Sequence, residues 1–64
     1  MLNKLTLMEL KEFIYEKTRV NGCDHDHTYT REFLKTRNID TESVIAWLES
    51  KHGYCDCEVM YNVD

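Results

Sequence analysis

Two short stretches of this chain carry ligand chemistry: Cys23-x-His25 and Cys55-x-Cys57. Thiolate sulfur and imidazole nitrogen are donors that zinc prefers, and four of them close a tetrahedral shell. In an extended segment, residues i and i+2 point to the same side. Each pair would then present two donors on one face, and two such segments side by side would bring all four together. The expectation is one zinc ion held by Cys23, His25, Cys55 and Cys57. Common zinc knuckles separate their cysteines by two residues, whereas each pair here is separated by one. His27 and His52 compete with His25 for the fourth position. His27 shares its side in an extended reading, and His52 stands at a predicted helix C-terminus, where capping is the plainer role. The alternative use of the cysteines is as small buried hydrophobes, with the histidines at the surface. A disulfide from Cys23 to Cys55 or Cys57 is a third use, because a Cys55–Cys57 bond along one strand has poor geometry.

Other chemistry is thinner. Arg31, Lys35 and Arg37 form a candidate basic patch on or near the second helix, and Tyr29, Phe33, Tyr54 and Tyr61 could stack on bases, which makes an RNA-binding regulator the alternative reading. Against it stand twelve acidic residues to eight basic, a formal charge of -4. Asp24, Asp26, Asp56 and Glu58 fall on the sides opposite the donors. They read as a solvated edge, or in a functional version as a hard-cation site or partners for the ligands. Catalysis would need a Cys/His nucleophile pair or an open zinc. No Ser/His/Asp set or phosphate loop is present, and with no proline the zinc-deaminase signature is absent. The chain therefore reads as a non-enzyme.

The elements that must position these donors follow from periodicity. Thr6 and Glu9 make a capping-box pattern, and Leu7, Leu10, Phe13, Ile14 and Lys17 form one stripe of a long first helix that stops at Asn21-Gly22. Residues 23–29 alternate with a period of two. Thr30 is placed as the cap of a short helix through Phe33, Leu34 and Lys35. Asp40 or Thr41 caps a third, with Val44, Ile45, Trp47 and Leu48 inward and Gly53 as its stop. Residues 54–63 alternate again, with Cys55, Cys57, Val59, Tyr61 and Val63 against Asp56, Glu58 and Asn62. The predicted fold is α+β: three helices and a two-stranded antiparallel ribbon of roughly 23–28 and 54–62. Its predicted core is Leu10, Phe13, Ile14, Phe33, Leu34, Ile45, Leu48 and Val59, with Trp47 at the margin. A ribbon has open edges, so a homodimer through the C-terminal strand is expected, with Met60 lacking an internal partner.

Sixty-four residues make one domain, 1–64, and 42% hydrophobic content is enough for a small core. A chain this short is marginal, and a metal, a disulfide or a partner chain commonly staples such domains. No apolar run reaches the roughly 18 residues that a membrane span needs. Lys4, Glu9, Lys11 and Glu12 interrupt any leader-like stretch near the start, so the reading is a cytoplasmic chain with reduced thiols. Together these give a small, acidic, zinc-stabilised interaction module that binds another protein.

Several stretches also resemble a small uncharacterised bacterial domain family with a C-D-H … G-[YF]-C-D-C-E-V … N-V signature. They are Gly22-Cys23-Asp24-His25, Thr30-Arg31-Glu32-Phe33-Leu34, Val44-x-x-Trp47-Leu48, Gly53-Tyr54-Cys55-Asp56-Cys57-Glu58-Val59 and Asn62-Val63. The resemblance spans roughly residues 20–63. It implies that Cys23 and His25 belong with Cys55 and Cys57, and it brings no activity. Where His27 stands it implies an apolar residue, and where His52 stands it often implies a glycine.

Overall fold

A computed structural model describes residues 2–23 and 25–63. Asp24, read above as part of a polar edge, lies outside the described residues. Among the described residues four helices follow one another: α1 (Lys4–Asn21), α2 (Thr28–Thr36), α3 (Thr41–Ser50) and α4 (Asp56–Asn62). Helix α1 packs on α2 and α4, and α2 packs on α3 and α4.

Local chemistry sets the helix ends. Asn3 caps α1, its side chain accepting from the Thr6 N–H at 2.8 Å, so the helix starts a turn before the predicted Thr6 box. Gly22, at φ 77°, ends it. Asp40 caps α3 through Ser43. Helices α2 and α3 both close with a Schellman turn. Asn38 (φ 56°) and His52 (φ 70°) take the left-handed position, while the Ile39 and Gly53 N–H groups donate to the Leu34 and Leu48 carbonyls. The stop of α3 is therefore His52. Gly53 is needed for a different reason, since a Cβ there would meet Val63 at 2.9 Å, Val59 at 3.0 Å and the Leu48 carbonyl at 3.1 Å. A bare backbone at 53 lets α4 fold closely under the end of α3.

The core joins Leu7, Leu10 and Ile14 of α1, Phe33 and Leu34 of α2, Val44, Ile45 and Leu48 of α3, and Val59 with Val63 from the C-terminal segment. Phe13 and Trp47 pack at its margin.

The predicted α+β class is overturned, because no described residue belongs to a strand. Residues 56–62 are helical, and burial falls on Asp56 and Val59 within the helix and on Val63 at its end, spaced three and four apart. The alternation that suggested a strand is equally a helix with one buried side, and in so short a run the two periods are hard to tell apart. Residues 25–27 form a bend ahead of α2. The expected partnership of the 23–29 and 54–62 segments does exist, but side chains and caps make it rather than a β ladder. With the strand goes the edge on which a homodimer was expected. Met60 also has an internal partner, since it packs against the core.

Candidate metal centre

The site lies where the α1–α2 loop meets the start of α4. His25 takes a left-handed conformation (φ 63°), which folds the chain back after Cys23 and turns the His25 N–H onto the Cys23 sulfur at 3.4 Å. Cys55 precedes α4 in extended backbone (φ -149°), and its sulfur is 3.8 Å from that of Cys23. A donor atom from each of Cys23, His25 and Cys55 lies within 4.8 Å of the other two, close enough for all three to hold one metal ion. Cys55 is buried, Cys23 half-buried and His25 exposed, so the cluster opens to one side. Cys57, one residue into α4, falls outside that set of three, and its thiol feels the Cys23 sulfur electrostatically. Three of the four predicted ligands thus form one donor set, with Cys57 beside it. The three cysteines are free thiols.

The thiols differ in charge preference. Burial pushes the Cys23 thiol up, but Cys57, the His25 N–H and Cys55 favour its charged form, and the net direction is down. Burial raises Cys55. Cys57 is pushed up to about 12, first by its interaction with the Cys23 sulfur, then by burial and by the negative charge of its neighbours. Of the three thiols, Cys23 is the one whose surroundings favour loss of the proton. A divalent ion supplies the charge that lets more than one sulfur ionise.

The platform under the donors is made by Asp56 and His27, in roles other than those expected of them. Asp56 was expected on a solvated edge, yet it is fully buried. Its carboxylate accepts from the Tyr29 N–H at 3.0 Å, the Thr30 N–H at 3.1 Å and the Thr30 hydroxyl at 2.7 Å. It is the N-cap of α2, supplied from another helix. His27, at the local cap position, makes no side-chain cap bond, and the predicted cap, Thr30, lies inside the helix. A negative group at a helix N-terminus also complements the macrodipole. The Asp56 N–H closes the link on the Asp26 carbonyl at 2.8 Å. His27 is buried and donates from Nε2 to the Gly53 carbonyl at 2.8 Å. It is therefore committed to the joint, and its burial accounts for the apolar residue that the resemblance implies there. His52 is exposed, and its positive φ is the conformation that favours glycine. The sequence hid the capping role of Asp56, because Asp26, Thr28 and Thr30 offer nearer cap-type side chains.

The candidate basic patch is partly neutralised. Arg31 pairs with Glu42 at 2.6 Å, and Arg37 pairs with Glu9 at 3.0 Å while stacking on Phe33. Lys35 is exposed. Of the four aromatics considered for stacking, Phe33 and Tyr29 belong to the core or pack against it, while Tyr54 and Tyr61 are exposed. Among the described residues, no helix is long and apolar enough to cross a membrane.

Comparison with known proteins places the chain in a family. Residues 10–62, which include all four sequence-predicted ligands, match the family described as proteins of unknown function (DUF2695), and the chain belongs to it. Uncharacterized proteins of Mycobacterium bovis and of two Mycobacterium tuberculosis strains are similar to it, each 29% identical over 58 residues. That match covers 91% of this chain and 59% of each relative, so the chain spans about three fifths of their length. No solved structure matches it.

Proposed function

We propose that this chain is a metal-stapled interaction module, in which Cys23, His25, Cys55 and Cys57 hold one zinc ion and the helical surface binds another protein. The observation that carries the metal is the convergence of Cys23, His25 and Cys55 donor atoms within 4.8 Å, from segments 30 residues apart. Cys57, on the first turn of α4 two residues after Cys55 and electrostatically coupled to Cys23, is the fourth donor at hand. Zinc is favoured because two or three sulfurs and one imidazole suit it, whereas calcium and magnesium take oxygen. A closed shell leaves no position for substrate, so the ion's role is structural and the module is not an enzyme. The partner reading is supported by Leu5, Met8 and Tyr15 of α1, which are at least half exposed while Leu7, Leu10 and Ile14 of the same helix are buried. A soluble surface seldom leaves such side chains grouped without a use.

Native mass spectrometry of freshly purified, reduced protein tests the metal. One zinc per chain, lost to EDTA together with thermal stability, is the expected result. Metal-free protein whose melting curve ignores both zinc and EDTA would refute the reading. For the partner, a protein retained by the wild type and released by a Leu5→Ser, Tyr15→Ser double variant of unchanged melting temperature is expected. Equal retention by both would remove this face from the account.

A further inference from the structure

The Cys23–Cys55 pair has a use beyond ligation. The two sulfurs stand 3.8 Å apart with no bond between them, and their residues are 32 apart in the chain. Contacts without sulfur already hold the two segments together: His27 to the Gly53 carbonyl, the Asp56 N–H to the Asp26 carbonyl, and the Asp56 carboxylate to Tyr29 and Thr30. A disulfide needs the sulfurs at about 2.05 Å, an approach of roughly 1.8 Å from where they stand. Cys23 is half-buried and reachable from solvent, while Cys55 is buried behind it. That is the arrangement of an attacking thiol and a resolving thiol.

We propose that Cys23 and Cys55 are an oxidative modification site at which hydrogen peroxide forms an intramolecular disulfide. The Cys23 sulfur attacks one peroxide oxygen and the O–O bond breaks. The departing hydroxide takes the thiol proton as water, leaving Cys23 as a sulfenic acid. The Cys55 sulfur then attacks the Cys23 sulfur and the S–O bond breaks. Hydroxide leaves with the Cys55 proton as a second water. One peroxide is reduced by two electrons, and the two thiols together are oxidised by two. The modification stands on the sulfur geometry alone. Its consequence rests on the zinc reading: the bond consumes two of the donors, so the ion is released while a covalent link takes over between the same two segments.

The test treats reduced protein, as purified and with added zinc, with hydrogen peroxide, then blocks remaining thiols and maps the peptides. Loss of two hydrogens from the intact mass, a Cys23–Cys55 linked peptide and a blocked Cys57 are expected, with the same linkage in a Cys57→Ser variant. A chromogenic chelator should report one zinc released per disulfide, and dithiothreitol should restore binding. Linkage through Cys57, bonds between chains, or sulfinic acid without linkage would overturn the proposal. If the disulfide forms in protein that never binds zinc, the metal reading falls and this one stands. If zinc binds and no disulfide forms, the reverse holds.

Discussion

In the body formed by α1, α2 and α3, the packed side chains are almost all aliphatic or aromatic. Where residues 23–30 meet residues 53–57, the buried side chains include His27, Thr30 and Asp56, which are the buried polar groups among the described residues. No described side chain at either place leaves a buried polar atom without a partner. The two regions therefore hold by different means. Burial of apolar area is graded and tolerates partial loss. A buried polar joint is close to all-or-none, because removing one partner strands the others away from water. Small chains use such joints sparingly, and this one has placed its joint directly beneath its candidate metal ligands.

Substitutions in each region sharpen that contrast. By size scaling, the whole domain has roughly 3–10 kcal/mol of stability. In the body, Leu48→Ala empties a fully buried position in the core and should cost ~2–5 kcal/mol, enough to unfold much of the population. Circular dichroism melting reads this directly, and a shift of only a few degrees would contradict the packing of α3. In the joint, Asp56→Ala should cost about 2–4 kcal/mol, since it removes a helix cap and strands the donors of Tyr29 and Thr30. Amide exchange at residues 29 and 30 should accelerate ahead of the α1 core, and exchange that rises uniformly would show that the joint has no separate character.

A smaller effect is expected at His27. His27→Ala leaves the Gly53 carbonyl unpaired and should cost about 1–3 kcal/mol. Metal affinity, followed by competition with a chromogenic chelator, should stay near wild type, because His27 is already committed to Gly53. A large loss of affinity with unchanged stability would make His27 a ligand and His25 a bystander. Least is expected at the surface: Arg31→Gln and Arg37→Gln each break an exposed ion pair and should shift stability by less than about 0.5 kcal/mol.

The same contrast explains what could be read from the residues alone. Leu7, Leu10 and Ile14, and likewise Val44, Ile45 and Leu48, announce their helices because each stripe is a local pattern that needs no knowledge of the rest of the chain. The donors Cys23, His25 and Cys55 were legible by chemical type, since few other roles suit thiols and imidazole so spaced. The joint was not legible. Asp56 reads as an exposed acid until it is known that α2 begins without a cap of its own and that α4 passes beneath it. Residues 54–63 read as a strand because Cys55, Cys57, Val59, Tyr61 and Val63 do alternate. Tertiary burial instead selected Asp56, Val59 and Val63 as the inward side. The α+β expectation failed at the segment whose structure depends on contacts with residues 26–30.

The metal centre stands or falls on which atoms surround the ion. Zinc K-edge X-ray absorption on the reduced, zinc-loaded protein counts them by element. Three sulfurs at about 2.3 Å and one nitrogen at about 2.0 Å are the result this account predicts. Two sulfurs with two lighter atoms would remove Cys57 and open the shell, which contradicts a purely structural ion. A shell of oxygen and nitrogen without sulfur would contradict the site altogether.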